Sequence, residues 1–261
     1  MKKLLVLSAL ALAGSAALAS TITLNGTVRD FAPGALVPGS TNPDFQKGVG
    51  GLQTGMVKDT LGVNGKPVLN AVDGSIPANW MVTSNASFAE WFGDDAPRKS
   101  LSIDLTETAP GSGVYSFSDS SFFPINGQLL GNYQSTNKNY HFTYQISGSF
   151  GYKAGTGQTF SFTGDDDVWV FFDKKLGIDL GGVHSAITRT VNLDTLMAGK
   201  ASGNYSFDFF FAERHTTQSN LMIQTSLELV APPIPEPSTY ALMALGLAAV
   251  GAAARRRRAQ A

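Results

Sequence analysis

Cysteine is absent from the 261 residues, which excludes disulfides, thiolate metal sites and a cysteine nucleophile together. Stability must then come from buried apolar surface. Charge is sparse, with Asp, Glu, Lys and Arg making up 15% of the chain, and neither an internal repeat nor a long amphipathic helix pattern is present. The formal charge of −1 conceals an asymmetry, because six of the nineteen basic residues, Lys2, Lys3 and Arg255 to Arg258, sit at the two ends. Without them thirteen basic residues face twenty acidic ones, a balance of −7, or −6 if Glu236 is also removed. An acidic domain lacks the basic face that phosphate binding requires, which argues against nucleic acid and leaves cations or neutral sugars as partners.

Both ends read as addresses. Lys2 and Lys3 precede the apolar run Leu4 to Leu18, and Ala17-Leu18-Ala19 places small residues at the last and third-last positions before Ser20. This is the pattern of a secretory signal peptide, 1–19, cleaved after Ala19. At about fifteen residues the run is short of the roughly twenty needed to cross hydrocarbon, which weighs against a retained anchor. At the other end Pro235-Glu236-Pro237 precedes the apolar run Tyr240 to Ala254 and the basic cluster Arg255-Arg256-Arg257-Arg258. Arginines held on the cytoplasmic side would leave everything before Pro235 outside the membrane. The order of these three features resembles the PEP-CTERM sorting signal. That resemblance implies recognition and cleavage by an exosortase-type membrane protease, in bacteria that make exopolysaccharide and biofilm or floc matrix; a plain single-pass anchor is the alternative. The expected organisation is a signal peptide at 1–19, one domain at 20–230, a proline-rich spacer at 231–239, and a transmembrane helix with an arginine tail at 240–261.

Period-two alternation dominates the middle of the chain, so the expected fold is all-β with antiparallel strands. Ile22, Leu24 and Val28 alternate with polar residues, as do Tyr140, Phe142, Tyr144 and Ile146, Phe160 and Phe162, Tyr205 to Phe211, and Leu221 to Leu229. Each such strand is expected to bury one face and wet the other. Val168 to Phe172 is apolar throughout and Phe210 falls on the wrong face, so those strands should be covered on both sides. Between Phe31 and Ala86 the pattern gives way to Gly, Pro, Asn and Asp, which predicts a long irregular segment layered over the sheet. A short helix is expected within Asn79 to Phe92, with Phe88, Trp91 and Phe92 turned inward.

The strongest internal signal is Phe160-Ser161-Phe162-Thr163-Gly164-Asp165-Asp166-Asp167-Val168-Trp169, continuing through Phe172 and then Leu176-Gly177-Ile178-Asp179-Leu180-Gly181-Gly182-Val183-His184. Three adjacent carboxylates repel one another and need a cation, backbone N–H groups or a basic neighbour. Calcium, which takes six to eight oxygen ligands, is one solution. Capping of the loop by its own backbone is the other.

This block resembles the fibro-slime domain and, through it, the wider protective-antigen-like β-sandwich. The likeness spans about Asn25 to Leu229. It is carried also by Phe122 to Gly127, Asn139 to Thr143, Val191 to Asp194, and Phe210-Phe211-Ala212-Glu213-Arg214-His215. Among relatives of that wider family are flocculin-type adhesins, in which two consecutive aspartates hold a calcium ion that itself coordinates sugar. The resemblance therefore implies Asp165, Asp166 and Asp167 as metal-site residues, Ca2+ as the cofactor, and extracellular polysaccharide as the partner. Gly164, Trp169, Asp179, Gly181, Gly182, His184 and Arg214 are expected to be structural, with His184 closing the Gly181-Gly182 turn and Arg214 pairing with a loop carboxylate. One departure stands out: fibro-slime chains place Asn-Gly at the hairpin after the central strand, whereas this one has Asp173-Lys174-Lys175, so a different turn type is expected.

Other chemistries are weaker. His141, His184 and His215 lie on separate segments without metal-ligand spacing. A glycosidase pair of Asp166 with Asp179 or Glu213 has no supporting motif. Trp80 and Trp91 could stack on sugar, and Trp169 sits inside an apolar run. The expectation is a noncatalytic protein of the cell envelope, surface or matrix, adhesive or carbohydrate-binding, with a purely structural matrix component as the alternative.

Overall fold

The computed structural model describes residues 18–32, 42–133 and 136–230. The signal run through residue 17, the spacer, Pro235, Glu236, Pro237, the apolar tail and Arg255 to Arg258 lie outside the described residues, as do the helices expected there.

The expected all-β architecture is present. Eleven strands form one antiparallel sheet: β1 (Thr21–Asp30), β2 (Arg98–Glu107), β3 (Tyr115–Asp119), β4 (Phe142–Tyr152), β5 (Thr159–Asp165), β6 (Asp167–Phe172), β7 (Lys175–Leu180), β8 (Ile187–Asn192), β9 (Gly203–Glu213), β10 (Asn220–Thr225) and β11 (Glu228–Val230). Their order is β7-β6-β9-β4-β1-β2-β3-β10-β5-β8, with β11 also on β4. The two end strands, β7 and β8, lie against each other, so the sheet nearly closes on itself. Its inner face carries Phe142, Tyr144, Ile146, Phe160, Phe162, Val168, Val170, Phe209 and Phe211, all buried in one core. The alternation along β4, β5 and β9 is the cause: antiparallel partners share a face, so Tyr144 opposite Phe211 and Ile146 opposite Phe209 fill the same interior.

A second core lies outside the sheet. Trp169 and Phe171 of β6 and Phe210 and Ala212 of β9 are covered by Phe31, Phe45, Met56, Trp80, Phe88, Trp91 and Phe92 from the long connection before β2. Phe92 meets Phe210 edge to face at 4.9 Å, and Trp91 lies 6.2 Å from Trp169. The covering layer carries a short 3₁₀ turn (Ala78–Trp80) and α1 (Asn85–Glu90), whose start is fixed by a Ser84/Ser87 capping box. Asp44 ties this layer together by accepting from Thr83 N at 2.6 Å and Trp91 Nε1 at 3.0 Å.

Three expectations need correction. β4 wets its second face only in part: Thr143, and His141 just before the strand, are buried, while Gln145 and Ser147 stay half-exposed. The alternating run Leu221 to Leu229 is not one strand: it breaks after Thr225, whose hydroxyl accepts from Leu227 N, and β11 pairs with β4 while β10 pairs with β3 and β5. The β6–β7 hairpin keeps the turn that the missing Asn-Gly would have made. Its central residues Asp173 and Lys174 have φ of 51° and 64°, the type I′ conformation demanded by strand twist. Asp173 tolerates it as a short polar residue and pairs with Lys200 at 2.7 Å. Lys174 has no such compensation. Lys174→Gly is therefore expected to raise stability by about 0.5–1 kcal/mol, read as a higher melting temperature; an unchanged or lower value would contradict the strain assigned to this turn.

Candidate functional site

β5 ends at Asp165 and β6 begins at Asp167, yet the two strands belong to different parts of the sheet, β5 between β10 and β8, β6 between β9 and β7. The acidic run is thus the crossing from one part to the other. Gly164 permits it, since a Cβ there would sit 2.3 Å from Asn220 O and 2.5 Å from the Phe162 ring. Gly182 does the same from the other side, with φ at +90° and Gly51 O where a Cβ would point.

The three carboxylates have different partners. Asp167, fully buried, takes Arg214 Nε at 2.5 Å and Arg214 Nη2 at 3.0 Å on its two oxygens and accepts Gly182 N at 2.6 Å. Arg214 is equally buried, its Nη1 donates to the carbonyls of Trp80 and Met81, and its guanidinium lies 4.6 Å above the Trp91 ring. Asp166 receives only backbone donors, His184 N at 3.3 Å and Arg214 N at 3.0 Å. Asp165 is held by Asn220 through its backbone N at 2.6 Å and its side-chain amide. The peptide bond between Asp165 and Asp166 is cis.

Charge in this loop is undercompensated. Burial, then the neighbouring Asp167, pushes the Asp166 carboxyl well above the usual carboxylate range despite Arg214. Burial also raises Asp165, against the pull of Asn220. Glu213 lies opposite Phe142 on the inner row, fully buried, and burial followed by repulsion from Asp166 and Asp165 drives it well above the ordinary range. Its Oε1 accepts weakly from His215 N at 3.4 Å, and its Oε2 has no hydrogen-bond partner among the described residues.

Of the sequence-chosen residues, Gly164, Asp165, Asp166, Asp167, Gly182, His184 and Arg214 converge here. His184 contributes its backbone N–H, while its ring Nδ1 faces Ser185 O at 2.8 Å. Trp169 and Asp179 pair with each other, Nε1 donating at 3.2 Å, and Asp179 also accepts from Gly55 N. Gly181 bridges to Gln53. Trp80, Trp91 and Trp169 are buried at 8%, 0% and 0% exposure, which removes them as sugar-stacking platforms. Asn220 and Gln46 were not anticipated. Gln46 joins two of the scattered histidines, its Oε1 accepting from His141 Nε2 at 3.0 Å and its amide facing His215 Nε2 at 3.3 Å. Nothing in the local sequence around Gln46 announces this, because the contact closes across 169 residues of chain.

Residues 132–239 match the PA14 domain and residues 233–258 match the PEP-CTERM protein-sorting motif. The chain is 41% identical to Protein psiQ of Dictyostelium discoideum over 231 residues and 39% identical to Protein psiD of the same organism over 219. These alignments cover 82% and 79% of this chain but 22% and 42% of those proteins, so the chain spans well under half the length of the curated relatives it matches. Among solved structures it is similar to the PA14 sugar-binding domain from an RTX adhesin (11% identity, TM-score 0.34, covering 80% of this chain and 94% of that one). It is also similar to the PA14 domain of the MpAFP antifreeze protein (12%, 0.29, 42% and 63%).

Two predictions follow from the geometry. Arg214→Ala leaves Asp167 buried and unpaired and is expected to cost about 3–5 kcal/mol, whereas Arg214→Met combined with Asp167→Leu should recover most of that loss in urea unfolding. Burial, aided by His215, lowers His141 to about 4 from 6.5. A histidine kept neutral by the fold stabilises fully above pH 6.5 and loses that contribution as pH falls toward 4, about 3 kcal/mol in all. Asp30, raised by burial to about 6, acts oppositely, favouring the fold as pH falls below 6. His141→Gln should therefore lose less stability between pH 7 and pH 4.5 than the wild type; equal losses would show that His141 does not titrate with folding.

Proposed function

We propose that this chain is an exported, noncatalytic protein of the bacterial surface or extracellular matrix, a fibro-slime type PA14 domain that contacts polysaccharide at the Asp165–Asp166 loop, with calcium as the bridging cation. The observation that carries the reading is the crowding of buried carboxyls: Arg214 pairs with Asp167, while Asp165, Asp166 and Glu213 form no ion pair among the described residues, burial raises all three, and Glu213 Oε2 lacks a partner there. A divalent cation at Asp165 and Asp166 would relieve that repulsion. Among the described residues no three Asp, Glu or His side chains converge as a ready metal site. The remaining ligands would come from carbonyls, water and sugar hydroxyls, as calcium accepts. The PEP-CTERM motif supports handling by an exosortase-type membrane protease, and the PA14 match supports binding rather than catalysis. Asp166 and Glu213, the best buried carboxylates for a hydrolase, are 3% and 0% exposed.

A second reading rests on a specific observation: the oxygens of all three loop aspartates already receive protein donors. In that case the loop is a brace and the protein a structural matrix component without sugar binding.

Calcium separates the two. At calcium one hundred times Kd the bound state gains about 2.7 kcal/mol, a melting shift of roughly 5–10 °C for a domain of this size, absent in Asp166→Asn and in EDTA. Because the carboxyls must lose protons, the shift should shrink as pH falls from 7 to 5. No shift at millimolar calcium removes the cation and leaves the loop as a brace; a shift without binding to any glycan on an array keeps the cation and removes the sugar.

A further inference from the structure

The outer face of β4 and β9 carries a row of reactive groups that the acidic loop does not use. Gln145 and Ser147 of β4 stand opposite Phe210 and Asp208 of β9 on that face. Lys66 reaches them from the outer layer, its Nζ donating to Gln145 Oε1 at 2.5 Å. Its backbone is fixed by a tight turn, in which Lys66 N donates to Asn64 Oδ1 at 3.1 Å and Lys66 O accepts from Gly62 N at 2.9 Å. On the far side of the same amide, Gln145 Nε2 donates to Ser147 Oγ at 3.2 Å, and the Ser147 hydroxyl is hydrogen-bonded to the Asp208 carboxyl.

An amine therefore sits at the oxygen of a primary amide, while an acid reaches the nitrogen through a hydroxyl. With a C=O bond of about 1.23 Å, Lys66 Nζ is at most about 3.7 Å from Gln145 Cδ, beside the near-attack range of roughly 3–3.5 Å. All four residues are half-buried. Burial, followed by the nearby Arg29 charge, lowers the Lys66 pKa, with Arg98 adding to this and Asp94 and Asp208 opposing it. Burial raises Asp208, against the pull of Ser147, Lys66 and Lys174. The lysine is eased toward its neutral, nucleophilic form and the carboxyl toward its proton-holding form, which are the two states that acyl transfer from an amide requires.

We propose that Lys66 and Gln145 join in an intramolecular isopeptide bond, with Ser147 and Asp208 relaying the protons. Lys66 gives one proton to the Asp208 carboxylate, and its freed electron pair forms the Nζ–Cδ bond. The tetrahedral carbon then collapses by breaking Cδ–Nε2, whose electron pair leaves with the nitrogen. Asp208 protonates that nitrogen through Ser147 and takes up the second proton shed by Nζ, so ammonia departs and no oxidant or cofactor is consumed. The new amide ties the outer layer to β4 across 79 residues of a chain that has no cysteine. It stands apart from the calcium and polysaccharide reading, and neither depends on the other.

Peptide mapping of the secreted protein by mass spectrometry, after full denaturation and digestion, tests the bond. The expected product is a branched peptide that joins the segments around Lys66 and Gln145 and is lighter than their sum by one ammonia. Protein made with purified translation components should contain it too. Lys66→Arg and Gln145→Ala should each abolish the branched peptide, and Asp208→Asn should slow its formation about a hundredfold or more. Should a variant fail to fold, the wild-type map decides alone. Separate, unmodified Lys66 and Gln145 peptides from the folded wild type would overturn the proposal. A branched peptide found only in the secreted protein would also overturn it, assigning the bond to a separate enzyme, and undiminished formation in Asp208→Asn would overturn the relay.

Discussion

The buried pair of Asp167 and Arg214 fixes the rest of the molecule. It joins the first residue of β6 to the residue following β9, so two adjacent strands end in register. The same guanidinium holds the outer layer through the carbonyls of Trp80 and Met81 and covers Trp91. Such a pair gives little net stability relative to an apolar substitute, but an unpaired member is severely costly, so it selects one arrangement over its competitors. The β6–β9 junction and docking of the layer that makes the second core therefore share one interaction.

Much of this was legible in the chain. Alternation at Tyr144 and Phe211 placed the inner core, and the double-sided Val168 to Phe172 run with Phe210 announced an outer layer, because a strand cannot be apolar on both faces unless both are covered. Crowding of Asp165 to Asp167 marked the loop as needing a cation, backbone N–H groups or a basic neighbour, and backbone donors and Arg214 are both found there. β2 was not named beforehand, though Leu101, Ile103 and Leu105 alternate plainly enough. What could not be read were contacts set by three-dimensional closure: Asn220 on Asp165, Gln46 between His141 and His215, and the break after Thr225 that sends β11 to another strand. Each depends on a distant backbone position rather than on local pattern.

The outer layer illustrates how an irregular segment becomes rigid. It has few regular hydrogen bonds of its own, yet Asp44, Asn42 and the Ser84 cap satisfy its polar groups while its aromatic side chains provide the burial. A loop built this way is also tied to the sheet beneath, through Lys66 on Gln145 of β4 and the carbonyls of Trp80 and Met81 on Arg214.

The borders of the sheet have their own consequence at high protein concentration. A strand whose backbone amides are already partnered cannot recruit a neighbour's; β7 and β8 face one another, whereas β2 meets β3 only at Thr106 and Glu107, which leaves Arg98 to Leu105 as an open edge. That edge carries Arg98, Lys99 and Asp104, and charges on an open strand oppose edge-to-edge pairing between copies. Association between copies then has to pass through side chains rather than shared backbone bonds.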